Sequence, residues 1–107
     1  MTVAVATTST QRNQGLQGVE ALPDGLDGML FAFDEPISTT FHMRNVAFPL
    51  DVWFFDDAGV LLGSIRMTTC PPGACPSYAT PGAVTWALET PAGRFDIDPG
   101  SELSVGE

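Results

Sequence analysis

Six side chains that readily bind ligands or each other lie in the middle and the last third of the chain. They are Arg44, Asn45, Asp51, Met67, Tyr78 and Glu89. Arg44 and Asn45 come just before a proline-bounded turn and Asp51 follows it, so the turn is predicted to bring their polar groups together. In one interpretation Arg44 pairs with Asp51 or Glu89, and Asn45 caps the turn. In the other, the six residues line a cleft that binds a small polar ligand or a peptide.

Two cysteines enclose a short proline-rich loop. Cys70 and Cys75 are the only cysteines of the chain. A disulfide between them would close a very short ring and contribute about 2 kcal/mol in the chain-entropy treatment. Such a bond suits a protein outside the cytoplasm. Free thiols and a metal site are the alternatives, but zinc usually takes four ligands and this pair supplies two. We therefore predict a disulfide and no metal.

Catalysis by a Ser-His-Asp or Cys-His arrangement would have to use His42, the only histidine. Together with Met43, Met67 and the two cysteines, His42 offers the soft ligands that Cu(I) prefers. However, His42 and Met43 are neighbours in a predicted strand, so they point to opposite faces. No serine or cysteine occurs in a nucleophile motif such as G-x-S-x-G. We predict no catalytic residue and no cofactor, with copper binding as an alternative.

Short strands separated by turns are predicted to position these residues. The predicted strands are 3–6, 29–33, 39–46, 50–55, 60–68, 83–90 and 101–105, with short helical segments at 11–19 and 91–95. Asp56 to Gly59 is a hairpin turn, and four prolines make 69–82 an irregular loop. This pattern predicts a mainly β fold, a jelly-roll-like β-sandwich or partly open barrel with one or two short helices. Residues 1–107 are predicted to form one domain.

A series of short motifs follows the same order as in a known family. The motifs are Gly28-Met29-Leu30-Phe31, Phe41-His42-Met43-Arg44-Asn45, Pro49-Leu50-Asp51, Met67-Thr68-Thr69-Cys70, Cys75-Pro76-Ser77-Tyr78 and Leu88-Glu89. This succession resembles the prokaryotic family catalogued as domain of unknown function 192. The resemblance implies a jelly-roll-like β fold and a frequent location outside the cytoplasm, and it implies no activity. The family commonly has an aromatic residue where His42 stands and a lysine where Arg44 stands.

The composition excludes several classes of partner. Thirteen acidic residues face four arginines and no lysine, giving a net charge of −9. This charge repels phosphate backbones, so nucleic-acid binding is not expected. Membrane insertion is not expected either, because no apolar stretch approaches the 18 or so residues of a membrane helix. Residues 1–6 have neither the charge nor the apolar length of a signal peptide.

These observations predict a non-catalytic binding or interaction module of the bacterial cell envelope. Its polar cleft is centred on Arg44, Asn45 and Asp51 and is expected to take a small polar ligand or a peptide. One alternative is a hydrolase or a carbohydrate-acting enzyme that uses the same cleft, which would require converging carboxylates with different pKa values. The other alternative is a soft-metal protein that binds copper. An extracytoplasmic location, periplasmic or secreted, is expected from the predicted disulfide.

Overall fold

A computed structural model of the chain describes residues 1–97 and Leu103, and strands account for most of its regular structure. In chain order the elements are β1 (Val3–Ala6), α1 (Ser9–Gln14), β2 (Gly28–Ile37), β3 (Thr40–Phe41), β4 (Leu50–Phe55), β5 (Leu61–Met67), β6 (Tyr78–Ala79) and β7 (Val84–Pro91). The predicted mainly β class is therefore confirmed. The predicted strand 101–105 and the turn before it lie outside the described residues, apart from Leu103.

Five strands form one open, mixed sheet in the order β1-β2-β7-β4-β5, and β3 pairs with β6 in a small second sheet. β1 runs parallel to β2, whereas the other neighbours in both sheets are antiparallel. The described strands do not close into a barrel, and the partly open barrel stays a prediction. The jelly-roll arrangement stays a prediction.

The structure shifts the predicted helix and lengthens the second strand. α1 begins earlier because Thr8 caps it in a capping box with Gln11, and it ends at Gly15, which adopts a φ of 49°. The predicted segment 91–95 is a turn rather than a second helix. β2 continues past Pro36 because its pairing with β7 is interrupted between Ala32 and Ile37, where a proline removes no ladder hydrogen bond.

The predicted strand 39–46 is reduced to the two residues of β3. Asn45 has a φ of 59°, a left-handed conformation that a strand does not accommodate and that asparagine tolerates better than most residues. The Val46 amide donates to the Met43 carbonyl oxygen at 3.2 Å. A tight turn therefore replaces the second half of the strand and carries residues 42–46 toward α1.

Apolar side chains cover both faces of the central strands. All six residues of β4 are buried, as its continuous apolar run predicts. On one face, Phe31, Phe41 and Phe54 meet edge to face, with ring centroids 5.6 Å apart in both pairs. This contact joins the main sheet to the small sheet, and it belongs to the larger core cluster. A smaller cluster around Trp53 and Leu88 covers the opposite face.

α1 is the only helix among the described residues, and none of these residues forms a helix long and apolar enough to cross a membrane.

Candidate functional site

A cavity of about 300 Å³ lies on the Phe-rich face of the main sheet. It is open on one side and bordered by α1 and the residues that follow it, by β2, and by β3 with the turn after it. Its apolar wall is formed by Leu16, Phe31, Phe33, Phe41 and Val46, and its polar lining includes Arg12, Asn13, Gln14, Gln17, Thr39, Thr40, His42 and Glu89. Apolar walls with a few polar groups are typical of small-molecule sites, which begin at about this size.

Glu89 is the single acidic residue that lines this cavity. Only 4% of its surface is exposed. Burial raises the pKa of Glu89 from 4.5 to about 8, and burial is the sole cause of this shift. No hydrogen bond or nearby charge from the described residues offsets the loss of water. The carboxyl group is therefore mostly protonated at neutral pH and able to donate a hydrogen bond.

The alternation of β7 directs Glu89 toward the cavity. Its cross-strand neighbours are Met29 on β2 and Val52 on β4, and Val52 belongs to the core of the cavity face. The preceding Leu88 belongs to the cluster on the opposite face. The sequence predicted this separation of Glu89 from Trp86 and Leu88, and the structure confirms it.

Arg12 forms one side of the cavity and is held in place by three contacts. Its Nη1 donates to the carbonyl oxygens of Thr7 at 2.7 Å and Ala32 at 3.0 Å. Its guanidinium lies 5.3 Å from the centroid of the Phe33 ring, within the range of a cation–π interaction. Among the residues that the structure describes, no carboxylate forms a salt bridge with Arg12.

His42 lines the cavity from the side of β3, and Asn45 lies in the turn that follows. The Nδ1 atom of His42 accepts a hydrogen bond from the Arg44 backbone N–H at 3.2 Å. Burial, followed by the charge of Arg44, lowers the pKa of His42, so the imidazole is neutral at pH 7 and its Nε2 carries the proton. The Asn45 carbonyl oxygen accepts from the Gly18 N–H at 2.8 Å, which connects this turn to the segment after α1.

Asp51 lies on the opposite face of the sheet from Glu89. Its cross-strand partner is Thr90, whereas that of Glu89 is Val52, so the two carboxyl groups point away from each other. Asp51 accepts hydrogen bonds from Arg66 Nε at 2.7 Å, Arg66 Nη2 at 3.1 Å and the Gly93 N–H at 2.9 Å. The Arg66 hydrogen bond is the main cause that lowers the pKa of Asp51.

The predicted ion pair of Arg44 with Asp51 or Glu89 is therefore wrong. Arg44 is exposed at a turn, and within residues 1–97 it forms no salt bridge with either carboxylate. The turn at Pro49 does not place Arg44 beside Asp51 because Asn45 redirects the chain toward α1. Arg66 takes the role predicted for Arg44, since it is the direct cross-strand neighbour of Asp51.

The six residues proposed as one cleft are separated by the structure. Met67 is fully buried in the core, and Tyr78 packs against the same core from β6. Asn45 connects two walls of the cavity and Arg44 lies outside it. Glu89 is the one member of the predicted set that lines the cavity.

Cys70 and Cys75 form a disulfide in the structure, as the sequence predicted. This bond removes the two thiolates of the copper alternative. Met43 and Met67, the thioethers of that alternative, are completely buried in the core. Among the described residues no group of three or more His, Cys, Asp and Glu side chains is arranged to hold a metal ion.

Sequence reasoning missed Arg12, Asn13 and Gln17 as site residues. They belong to a short polar segment that looked like a marginal helix, and its relation to the later strands is a tertiary feature. One signal was present: a single basic residue within a run of amides next to a helix-terminating glycine, at Gly15.

Comparison with known proteins gives a family and two structural relatives. The family model of domain of unknown function 192, described as an uncharacterized ACR, matches residues 1–105. A protein of unknown function from Novosphingobium aromaticivorans has 29% identity and a TM-score of 0.77, with 92% of this chain and 70% of that chain covered. A protein from Sinorhizobium meliloti, described as a "putative transcription regulator", has 29% identity and a TM-score of 0.76, with 94% and 78% covered. No curated protein matches the chain.

Proposed function

The chain belongs to the DUF192 family, and we propose that it is a non-catalytic binding module whose ligand is a small polar molecule held in the cavity at Glu89. The observation that carries this proposal is the buried carboxyl group of Glu89, which faces a cavity and receives no hydrogen bond from the described residues. The Glu89 side chain is almost completely removed from bulk water, and a polar group in such a place gains from a hydrogen-bond partner. A ligand in the cavity could supply that partner.

The size of the cavity limits the ligand. A volume of about 300 Å³ corresponds to about ten water molecules at roughly 30 Å³ each. A molecule of roughly ten non-hydrogen atoms therefore fits, with its apolar part against the phenylalanines and its polar part near Glu89. A folded protein domain or a nucleic-acid strand does not fit.

A binding role agrees with the geometry better than the enzyme alternative does. Hydrolysis of a glycoside usually requires two carboxyl groups on either side of one bond. Glu89 is the single acid of the cavity, and the other buried carboxylate, Asp51, is on the opposite face. A role in transcription, as in the description of the Sinorhizobium meliloti relative, is disfavoured for this chain by its charge of −9.

We also propose that the protein works outside the cytoplasm, in the cell envelope. The disulfide supports this location because such bonds persist in oxidising compartments. Cell fractionation with an antibody tests it. Recovery in the soluble cytoplasmic fraction with both cysteines reduced would contradict the proposal.

The binding proposal can be tested by nuclear magnetic resonance with acetamide, 2-propanol and sodium acetate as small probes. We expect amide shifts to change at the cavity residues. Asn13→Trp should abolish these changes, because Asn13 lines the cavity and is exposed on α1, so a large side chain can fill the space without disturbing the core. Thr10→Trp, on the same helix but outside the lining, is the matched control and should leave them intact.

Two results would contradict a non-catalytic module of this kind. One is a set of shift changes that avoids the cavity, for example at Asp51 and Phe95 on the opposite face. The other is hydrolysis of nitrophenyl glycosides or esters that disappears in Glu89→Gln, which would favour the enzyme alternative.

A further inference from the structure

We infer that the ligand of this cavity is a small organic carboxylate, which accepts a hydrogen bond from Glu89 and lies in the field of Arg12. This inference rests on the proposed function and names the chemical class of its ligand. A neutral polyol, an amine and an inorganic oxyanion are the competing classes. The geometry of the charged groups around the cavity separates them.

Positive charge near the cavity comes from arginine side chains. The chain has four basic side chains, and Arg66 is committed to Asp51. Arg12 lines the cavity, and Arg44 is close enough to His42 for its charge to contribute to the lowered pKa of that imidazole. Neither arginine forms a salt bridge with a carboxylate of residues 1–97. At physiological ionic strength charges act over about 8 Å, so Arg12 is a positive group within reach of a ligand in the cavity.

The Arg12 guanidinium has donors left for a ligand. Both hydrogen bonds of its guanidinium to backbone carbonyls come from Nη1. Nε and Nη2 have no acceptor among the residues described by the structure. The side chain is therefore fixed by its Nη1 bonds and by the Phe33 ring, with three N–H groups unused. Planar carboxylates match such a fork well.

The carboxyl group of Glu89 holds its proton at neutral pH. The titratable or charged groups that line the cavity are Arg12, His42 and Glu89. The neighbours of Glu89 on β2 and β4, Met29 and Val52, are apolar. Nothing in these elements favours the ionised form, so Glu89 acts as a donor. A carboxylate ligand accepts from it, whereas an amine would first have to ionise it inside an apolar wall.

The size and lining of the cavity favour a carboxylate over an inorganic oxyanion. Phosphate and sulfate need several convergent donors and no apolar surface, whereas the donors here share the lining with three phenylalanines and with aliphatic side chains. A carboxylate attached to a short apolar body satisfies the polar and the apolar parts together. The neutral His42, with its Nε2 proton, and the side-chain amide of Asn13 are further donors at the lining.

The test compares three probes of nearly equal size: benzoate, benzamide and benzylamine, with inorganic phosphate as a fourth. Affinities are measured by amide-shift titration of the full chain at pH 6.5 and pH 9. We expect benzoate to bind most tightly at pH 6.5. With a pKa of about 8 for Glu89, its protonated fraction falls about tenfold between these pH values, so benzoate should bind about tenfold more weakly at pH 9.

Variants separate a specific site from general attraction to charge. Glu89→Gln keeps a neutral donor, so benzoate should still bind and the pH dependence should disappear. Arg12→Gln should weaken the binding of benzoate at least tenfold at both pH values. Arg94→Gln, which removes an exposed arginine outside the cavity lining, is the matched control and should have no effect.

The outcomes distinguish this inference from the proposed function. Tighter binding of benzylamine, benzamide or phosphate in the cavity would overturn the carboxylate inference and leave the binding module in place. Benzoate binding that persists in Arg12→Gln and does not change with pH would also overturn it. If none of these four probes binds while acetamide or 2-propanol does, the inferred ligand class is wrong and the binding module stands. If no probe of either set binds in the cavity, the proposed binding function is wrong as well.

Discussion

The substitution Glu89→Gln should make the protein more stable at neutral and mildly alkaline pH, and it should remove most of the pH dependence of folding between pH 5 and 8. Glutamine has nearly the same shape as glutamic acid and cannot ionise. Any change in the dependence of stability on pH therefore reports the carboxyl group itself rather than a cavity or a steric clash.

The expected magnitude follows from the pKa of Glu89, which rises from 4.5 in the unfolded chain to about 8 in the folded protein. Between these values the folded state holds a proton that the unfolded state releases, so the free energy of unfolding falls as the pH rises. The slope is about 1.4 kcal/mol per pH unit. The contribution of Glu89 to the free energy of unfolding is fully present below about pH 4.5. About 5 kcal/mol of that free energy is lost by the time the pH passes 8.

Urea unfolding of the parent and of Glu89→Gln at pH 5.5 and pH 7.5 tests this prediction. The stability difference between them should grow by about 3 kcal/mol over these two units. Subtracting the free energies of unfolding of the two proteins removes the contribution of His42. Because the pKa of His42 is lowered in the folded state, its contribution makes stability rise with pH below about pH 6.5. Glu35→Gln, at an exposed position on β2, is the control and should follow the parent.

Two results would refute the reasoning. If the free energies of unfolding of the parent and of Glu89→Gln change with pH by the same amount, the folded protein does not hold the carboxyl group in its neutral form. If Glu89→Gln is less stable than the parent at pH 7.5, the folded protein gains from the ionised carboxylate, which would require a partner for it.

Four further predictions concern the rest of the molecule. Replacing both Cys70 and Cys75 by serine should lower the free energy of unfolding by about 2 kcal/mol, and uptake of two alkyl labels by the unreduced parent would contradict the disulfide. Gly28→Ala should abolish the cooperative unfolding transition in circular dichroism, because the added Cβ would overlap the Glu89 carbonyl oxygen. Gly63→Ala is the control and should fold, because its Cβ would make an ordinary contact with the ring of Pro81. Arg44→Met should change stability by less than about 0.5 kcal/mol, and a larger loss in urea melts would restore a pairing role for Arg44. Filter binding should show no DNA retention in 0.15 M salt, and a signal that falls steeply with added salt would contradict this.

The sequence alone determined those features that depend on local pattern. The apolar run of β4 required burial on both faces, and Asp56 to Gly59 required a hairpin turn, with Gly59 at a φ of 79°. The two cysteines, close in the chain and without other partners, formed the predicted disulfide. The alternation in β7 placed Glu89 on the face opposite Leu88. These features could be predicted because each is decided by neighbours within a few residues.

The composition of the site was decided by the tertiary structure. Asp51 and Arg44 are near in sequence, yet Arg66 neutralises Asp51 because cross-strand neighbours in an antiparallel pair are closer than residues on two sides of a turn. Arg12 and Glu89 are far apart in sequence, and they line one cavity because the segment after α1 packs over the Phe-rich face of the sheet. Burial gives Glu89 its high pKa, and burial is a property of the folded chain: the same glutamate in an open strand would be an ordinary surface acid.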